Sequence, residues 1–218
     1  MKLVYRVVED QASLNSYRAT QDEETAVQLE ILIELTKPRR QFNEWHNLVA
    51  TPFRYPLPVN SPYQARFRPP FFQKNVFYAA GILETSLYEY SYHFMRQRVH
   101  LMVKKKRKKN ETGTRTGFSV NTDDTGFVDI RNHPNITAIM DKGDYTGSHQ
   151  FIKDNALDYL IYPSARDPLH RDSIAIFDVH KIEKNPATEH VLNFFYDYGK
   201  KEVLWLREDL RVEWSVVS

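Results

Sequence analysis

Residues 75–98 carry the sequence N-V-F-Y-A-A-G-I-L-E-T-S-L-Y-E-Y-S-Y-H-F-M-R-Q-R, in which a strand-like run meets a helix-like run. The short apolar segment Asn75–Ala79 is typical of a buried strand, and Gly81 allows the chain to turn directly after it. Helical spacing then extends from Ile82 to about Arg98, with an apolar stripe made by Leu83, Leu87, Tyr90 and Phe94. The stretch therefore predicts a strand, a tight turn and an amphipathic helix.

The segments on either side of this unit also alternate between strand and helix patterns. Leu3–Val8 is rich in β-branched and aromatic residues, which favours a strand. Thr20–Glu23 has the spacing of a capping box, and apolar residues follow it at helical intervals until Lys37 and Pro38. Later strands are predicted at 158–162, 173–177, 191–198 and 203–206, with the last two joined as a hairpin. We predict an α/β (α+β) fold with a mixed or antiparallel central sheet surrounded by helices.

Two segments have the composition of loops. Prolines crowd between Pro52 and Pro70, which predicts a long ordered loop. Lys104–Lys109 is an unbroken run of six basic residues, and glycine and polar residues dominate from there to about Asp129. We interpret residues 104–129 as a basic and polar insertion into a single domain that covers residues 1–218.

Composition narrows the class of protein. The formal charge is +2, from 30 basic and 28 acidic residues, so the chain lacks the global field expected of a dedicated nucleic-acid binder. No apolar stretch approaches the length of a membrane span, and the first residues lack the apolar core of a signal peptide. The absence of cysteine excludes disulfides and thiolate metal sites. These observations favour a cytoplasmic protein without a membrane partner.

Glycine, histidine and serine patterns exclude several enzyme classes. The seven glycines never form the dinucleotide fingerprint or the phosphate-binding loop. The eight histidines are scattered singly, without the helical pairing that binds zinc. No Gly-x-Ser-x-Gly turn is present. We therefore predict neither a Rossmann site, nor a metal site, nor a serine hydrolase of that type.

Four blocks in the middle and late chain resemble the ordered motifs of RES-domain proteins. They are Ala65–Arg68, Val76–Ala80, Glu84–Glu89 and Ile161–Arg166. The flanking strands Val4–Val7 and Ser173–Phe177 are also similar to family segments, and the likeness spans about residues 3–206. Leu35–Arg39 resembles the helix end of a longer subgroup of the family.

One block departs from the family pattern. The family usually has Asn or Ser directly after its Arg-Phe pair, whereas Arg68 and two prolines follow here. The family arginine is therefore either Arg66 or Arg68. The Arg-Phe pair favours Arg66, which we prefer, while the ten-residue step to Tyr78 that is common in shorter members favours Arg68.

The resemblance implies a fold similar to the ADP-ribosyltransferase-like architecture and cleavage of the nicotinamide–ribose bond of NAD. Nicotinamide leaves as a neutral group, so the ribose becomes oxocarbenium-like and a fixed carboxylate can stabilise its charge. By family position this carboxylate is Glu89. The implied catalytic set is Glu89, Arg66, Tyr78 and Ser164. The implied NAD-binding set is Arg6, Arg66, Arg68, Tyr78 and Ser164.

The same resemblance implies a biological role. It is that of an NAD-consuming toxin from a bacterial toxin–antitoxin pair, with a helical antitoxin that covers the site. NAD is then the substrate, no metal takes part, and self-association is expected without a defined stoichiometry. Hydrolysis, phosphorolysis and ADP-ribose transfer to a target protein all begin with the departure of nicotinamide. Because they differ only in the acceptor, the sequence leaves all three open.

A third class of function is a non-enzymatic binding module built on the basic run Lys104–Lys109. Clustered cations attract nucleic-acid phosphates, which favours this hypothesis. The run contains no interleaved aromatic residue for base stacking, however, and such runs are usually solvated. We therefore do not expect direct nucleic-acid binding.

Overall fold

The computed structural model describes residues 1–9, 22–38, 42–54, 65–70, 72, 74–105 and 110–215, with the side chains of 97–105 left aside. The strands are β1 (Lys2–Glu9), β2 (Phe77–Ala80), β3 (Glu111–Thr122), β4 (Val128–Asp129), β5 (Tyr159–Pro163), β6 (Asp172–Ile176), β7 (Thr188–Asp197), β8 (Glu202–Arg207) and β9 (Leu210–Ser215). The helices are α1 (Glu23–Thr36), α2 (Asn47–Arg54), α3 (Leu83–Lys105), α4 (Ile136–Ile139) and α5 (Thr146–Asp154), with a 3-10 turn at Val179–Lys181.

The nine strands form one mixed sheet in the order β4-β5-β6-β2-β1-β3-β7-β8-β9. The short pair β4–β5 is parallel, and every other neighbouring pair is antiparallel. The predicted α+β fold with a mixed central sheet is thus confirmed, as is the β7–β8 hairpin.

Helices cover both faces of the sheet. On one face, α2 packs against strand residues such as Val4, Phe77 and Ile174. On the other face, α3 packs over β7, β8 and β9, and the α4–α5 pair packs over β5 and β6. The boundary between α3 and the α4–α5 pair therefore lies above β2 and β1, in the middle of the sheet.

A close approach at Gly81 fixes where α3 begins. The Gly81 N–H donates to the carbonyl of Asp172 at 2.9 Å. A β-carbon at position 81 would lie 3.3 Å from the β-carbon of Asp172, which is tighter than an ordinary contact. The turn therefore holds the beginning of α3 against the first residue of β6.

The interpretation of residues 104–129 as an insertion is wrong for most of that segment. Glu111–Thr122 forms β3, which pairs with β1 on one side and with β7 on the other. Lys104 and Lys105 belong to the end of α3, which continues past the predicted end at Arg98. Residues 106–109 of the basic run lie outside the described residues.

Two other local predictions need revision. Pro52 lies inside α2, so the proline-rich segment does not begin as a loop, and residues 55–64 lie outside the described residues.

Helix α1 is capped by Asp22, whose side chain accepts the N–H of Thr25 at 2.7 Å. Thr20 lies outside the described residues. The apolar side of α1 packs only in part, since Ala26 is buried whereas Leu32 and Leu35 are exposed.

None of the helices in the described part of the chain combines the length and the apolar character that a membrane crossing requires.

Candidate active site

The carboxylate of Glu89 lies at the contact between α3 and the loop that follows β5. Its Oε1 atom accepts the hydroxyl proton of Ser164 at 2.5 Å. Ser164 is fully buried, and its oxygen also accepts the N–H groups of Arg166 at 3.1 Å and Asp167 at 3.0 Å. A serine hydroxyl offers one donor and two acceptor positions, so these three bonds use its full capacity.

Burial shapes the electrostatics of Glu89. It raises the pKa of Glu89 above its ordinary value, although the Ser164 hydrogen bond and the charges of Arg166 and Arg66 act in the opposite direction. A carboxylate in such a place is poorly solvated and is held by only a few fixed donors. It can therefore interact strongly with a positive charge that develops beside it.

The loop that carries Ser164 is anchored to α3 by a buried acid. The side chain of Asp167 accepts hydrogen bonds from the Thr85 hydroxyl and the Arg171 Nε, both at 2.6 Å. It also accepts the N–H of Leu169 at 2.9 Å. Burial alone would raise the pKa of Asp167, but these hydrogen bonds lower it below its ordinary value. Asp167 thus ties the loop that carries Ser164 to α3, the helix that carries Glu89.

Arg66 approaches Glu89 from the other side of the site. Its Nη1 atom donates to the carbonyls of Ile139 at 3.1 Å and Asp141 at 2.8 Å, and its guanidinium lies 5.4 Å from the ring centroid of Tyr145. Its Nε and Nη2 atoms make no hydrogen bond to any described residue. The charge of Arg66 nevertheless lowers the pKa of Glu89. Part of its guanidinium is therefore available to an anion at the site.

The side chain of Arg68 makes different contacts from that of Arg66. Its Nη2 atom donates to the side-chain oxygen of Asn75, whose amide donates to the carbonyl of Phe53 at 2.8 Å. This chain of bonds connects the turn at 65–68 to α2. The Nε atom of Arg68 is buried without a hydrogen-bond partner among the described residues, and its charge acts on Tyr78. The preference for Arg66 as the family arginine stays a prediction.

Two tyrosines lie close to Glu89 and Arg66. Tyr78 is half-buried, but its hydroxyl is fully enclosed and makes no hydrogen bond of good geometry within the described residues. Burial raises the pKa of Tyr78, while the Phe67 N–H and the charges of Arg68 and Arg66 oppose this. The ring centroids of Tyr162 and Phe67 lie 4.7 Å apart in an edge-on arrangement. Burial and the charge of Glu89 raise the pKa of Tyr162.

Tyr162 was not among the predicted site residues. Tyr162 lies on β5 two residues before Ser164, and its side chain packs on the α4–α5 side of the sheet. Because this strand is apolar throughout, no alternation in its sequence marks Tyr162 as a site residue.

Arg6 lies apart from Glu89. It donates from Nη1 to the carbonyl of Tyr78 at 2.8 Å and lies 4.9 Å from the ring centroid of Phe77, which belongs to the α2 face. Burial lowers the pKa of Arg6 to about 10, and its Nε atom has no hydrogen-bond partner within the described residues. The strands β1 and β2 pair only at Tyr5 and Ala80, so Arg6 lies where they separate.

The structure thus brings together Glu89, Ser164, Tyr78 and Arg66, and it adds Tyr162 and Arg166. Among the described residues, no group of three or more histidine, aspartate and glutamate side chains is placed to hold a metal ion.

Comparison with known proteins agrees with the sequence motifs. The model of the RES domain family matches residues 37–197, a segment that contains all six of these side chains. None of the curated proteins matches the chain.

Proposed function

Because the chain belongs to the RES domain family, we propose that it consumes NAD by breaking the bond between nicotinamide and ribose, with Glu89 as the catalytic carboxylate. Membership of this family supports an NAD-related function of the toxin type. The observation that carries the specific proposal is the Ser164–Glu89 hydrogen bond, which holds a partly desolvated carboxylate in a fixed direction. Arg66 lies beside it with unused donors.

The reaction requires stabilisation of positive charge more than it requires a strong base. The bond between C1′ of the ribose and the nicotinamide nitrogen breaks, and nicotinamide leaves as a neutral molecule with the bonding electron pair. Positive charge then develops on the ribose, and the Glu89 carboxylate stabilises it. The interaction strengthens only as the charge develops, so it accelerates the reaction rather than tightening the binding of NAD.

The other side chains hold the substrate. The free donors of Arg66 suit a diphosphate, because a guanidinium can bind two phosphate oxygens at once. The partly exposed ring of Tyr78 offers apolar surface on which nicotinamide or adenine can stack. Ser164 acts through Glu89, since its hydroxyl already has three partners.

The acceptor that completes the reaction is water or inorganic phosphate. With water, an oxygen–C1′ bond forms, one proton is released, and the products are nicotinamide and ADP-ribose. With phosphate, a phosphate oxygen bonds to C1′ and the products are nicotinamide and phosphorylated ADP-ribose. A nucleophilic side chain of a target protein is the third acceptor and would make the chain an ADP-ribosyltransferase.

Product analysis tests this proposal. Purified protein is incubated with NAD in three conditions, namely buffer alone, buffer with inorganic phosphate, and buffer with cell extract, and the products are identified by mass. We expect free nicotinamide in the active reaction, and the mass of the ribosyl product identifies the acceptor. Intact NAD in all three conditions would contradict the proposal.

We also propose that a helical antitoxin binds over the site and restrains the activity, as the family resemblance implies. The test uses the protein encoded by a small neighbouring reading frame, purified and added in increasing amounts to the NAD reaction. Inhibition that saturates at a fixed molar ratio is expected. Unchanged nicotinamide release at excess partner would rule this partner out.

A further inference from the structure

Arg166 is an arginine at the site that the reaction described above does not use. Its guanidinium carbon lies 3.4 Å from the ring centroid of Tyr92, so the two groups are in stacking contact. Its side chain makes no hydrogen bond and no ion pair with any described residue. Other arginines near the strand ends are paired, as Arg131 is with Asp129 and Arg171 with Asp167.

The position of Arg166 is fixed by the same groups that fix Glu89. The Arg166 N–H donates to the Ser164 hydroxyl, which in turn donates to Glu89. The next residue, Asp167, is bonded to Thr85 of α3. The Tyr92 ring belongs to α3, where it follows Glu89 by three residues and therefore lies on a neighbouring position of the same helix side. The guanidinium is consequently held in place before any ligand arrives.

The charges around Glu89 do not balance. Arg66 and Arg166 both act on this one carboxylate, while each keeps unused N–H donors. His93 also lies near Arg166, and its pKa is lowered by burial and then by the charges of Arg166 and Arg96, so it supplies no negative charge that would offset the two arginines. A site with two arginines and one acid, whose guanidinium donors are only partly used, favours an anion.

We propose that Arg166, stacked on Tyr92, binds a phosphate group at the Glu89 site and acts with Arg66 as a two-arginine clamp. A planar guanidinium held on an aromatic ring exposes its edge, and that edge can bind two phosphate oxygens. The phosphate belongs either to the diphosphate of NAD or to inorganic phosphate that serves as the acceptor. That the ligand is one of these two phosphates rests on the proposed function. The binding of an anion at Arg166 does not.

Calorimetric titration with three probes tests the subsite without requiring turnover. ADP-ribose carries the diphosphate, inorganic phosphate represents the acceptor, and nicotinamide riboside carries no phosphate. Arg166→Ala should weaken the binding of ADP-ribose or of inorganic phosphate by roughly 10- to 100-fold and leave nicotinamide riboside unchanged. Loss with ADP-ribose identifies the substrate diphosphate, and loss with inorganic phosphate alone identifies the acceptor.

Three further variants keep the test sharp if Arg166→Ala is poorly folded. Arg166→Lys keeps the charge without the planar fork and should retain only part of the affinity. Tyr92→Leu removes the stacking surface and should weaken the same probe. Arg211→Ala is the matched control, because Arg211 is exposed on β9 and is paired with Glu213, and it should bind all probes as the parent does.

The outcomes separate the subsite from the proposed reaction. Binding of ADP-ribose and phosphate that is equal in the parent and the Arg166 variants would overturn the subsite, even if the parent cleaves NAD. If the parent binds neither ADP-ribose nor inorganic phosphate, or if nicotinamide riboside shows an equal loss, the subsite is overturned as well. Binding that depends on Arg166 without release of nicotinamide from NAD would support the subsite and count against the reaction.

Discussion

The Ser164 hydroxyl donates its only proton to Oε1 of Glu89 at 2.5 Å, and its lone pairs accept two backbone N–H groups. The family resemblance implied that Ser164 contacts NAD directly. In this geometry its hydrogen-bonding capacity is already used, so we expect Ser164 to act through the orientation and charge of Glu89, as a positioning residue.

Ser164→Ala should therefore slow nicotinamide release by roughly 10- to 100-fold, which corresponds to the loss of one hydrogen bond to a charged group. The acid limb of the pH–rate profile should also move to higher pH. The Ser164 hydrogen bond lowers the pKa of Glu89, so its removal raises that pKa and the carboxylate is protonated at a higher pH. Rates measured across the acid range check both effects.

Ser119→Ala is the matched control. Ser119 is also a fully buried serine, but it pairs with Thr188 in the β3–β7 region, away from Glu89. Its removal should leave the pH profile unchanged. If Ser164→Ala lowers the rate without moving the acid limb, Ser164 does not act through the charge of Glu89.

The second prediction separates Arg66 from Arg68. Arg66→Ala should weaken NAD binding by roughly 1.5–3 kcal/mol, because a charge-assisted bond to the diphosphate is lost. Arg68→Ala should instead lower thermal stability, since it breaks the connection through Asn75 to α2. Calorimetric titration and melting of both variants decide between them. A larger loss of affinity for Arg68→Ala would assign the family arginine to position 68.

The sequence was sufficient to place Glu89 on its helix. The apolar stripe of Leu83, Leu87 and Phe94 determines which side of α3 packs on the sheet, and all three side chains are buried there. Gly81 marked the turn into the helix, and a β-carbon at this position would lie only 3.3 Å from the β-carbon of Asp172. Local periodicity and turn chemistry are enough for such an element.

The strand β3 was not predicted, because its composition is that of a loop. Its glycines serve packing rather than turning, since a β-carbon at Gly113 would lie 2.9 Å from the Phe194 ring and one at Gly117 would lie 2.7 Å from Leu192. Large side chains of β7 thus fill the space that these glycines leave. Only the partner strand reveals this, so the segment alone could not predict a central strand.

Arg166 and Tyr162 escaped the sequence analysis for a related reason. Their significance comes from Tyr92 and Phe67, which are distant in the sequence and meet them only in the folded chain. A stacked arginine and a buried tyrosine have no local signature that distinguishes them from ordinary surface and core residues.

The third prediction concerns the loop anchor. Asp167→Asn should reduce the free energy of unfolding by roughly 1–3 kcal/mol at neutral pH, because the Arg171 and Thr85 hydrogen bonds lose their charged acceptor. The pKa of Asp167 is depressed in the folded state, so its contribution is present at neutral pH and is lost as the pH falls through that depressed pKa. Denaturation of the parent and of Asp167→Asn at neutral and acid pH measures the difference in their free energies of unfolding. This difference should be smaller at acid pH.

Asp209→Asn is the control for this measurement. Asp209 also pairs with an arginine, Arg207, but its side chain is 70% exposed. Exposed ion pairs contribute little to folding stability, so Asp209→Asn should change the free energy of unfolding by no more than about 1 kcal/mol. Equal destabilisation by the two substitutions would show that Asp167 is no special anchor.

The last prediction is that Glu89 serves catalysis at a cost in stability. Glu89→Gln keeps the shape of the side chain and its acceptor for Ser164 but removes the charge. Nicotinamide release should fall by roughly two orders of magnitude while NAD affinity changes little, because the charge acts mainly in the transition state. Glu84→Gln on the same helix is the control, because the Glu84 side chain makes no hydrogen bond to Ser164 or Glu89, and it should retain parental activity. Single-turnover nicotinamide release measures both variants.

Thermal stability supplies the second half of this prediction. Burial raises the pKa of Glu89 in the folded state, so the folded protein binds this proton more tightly than the unfolded chain does. Stability is therefore lost as the pH rises through the ordinary glutamate pKa toward the raised one, and the loss persists above it. Glu89→Gln removes this penalty and should be at least as stable as the parent at neutral pH, with the difference vanishing in acid. A variant that releases nicotinamide normally, or one that melts well below the parent at neutral pH, would show that the Glu89 charge has a structural rather than a catalytic role.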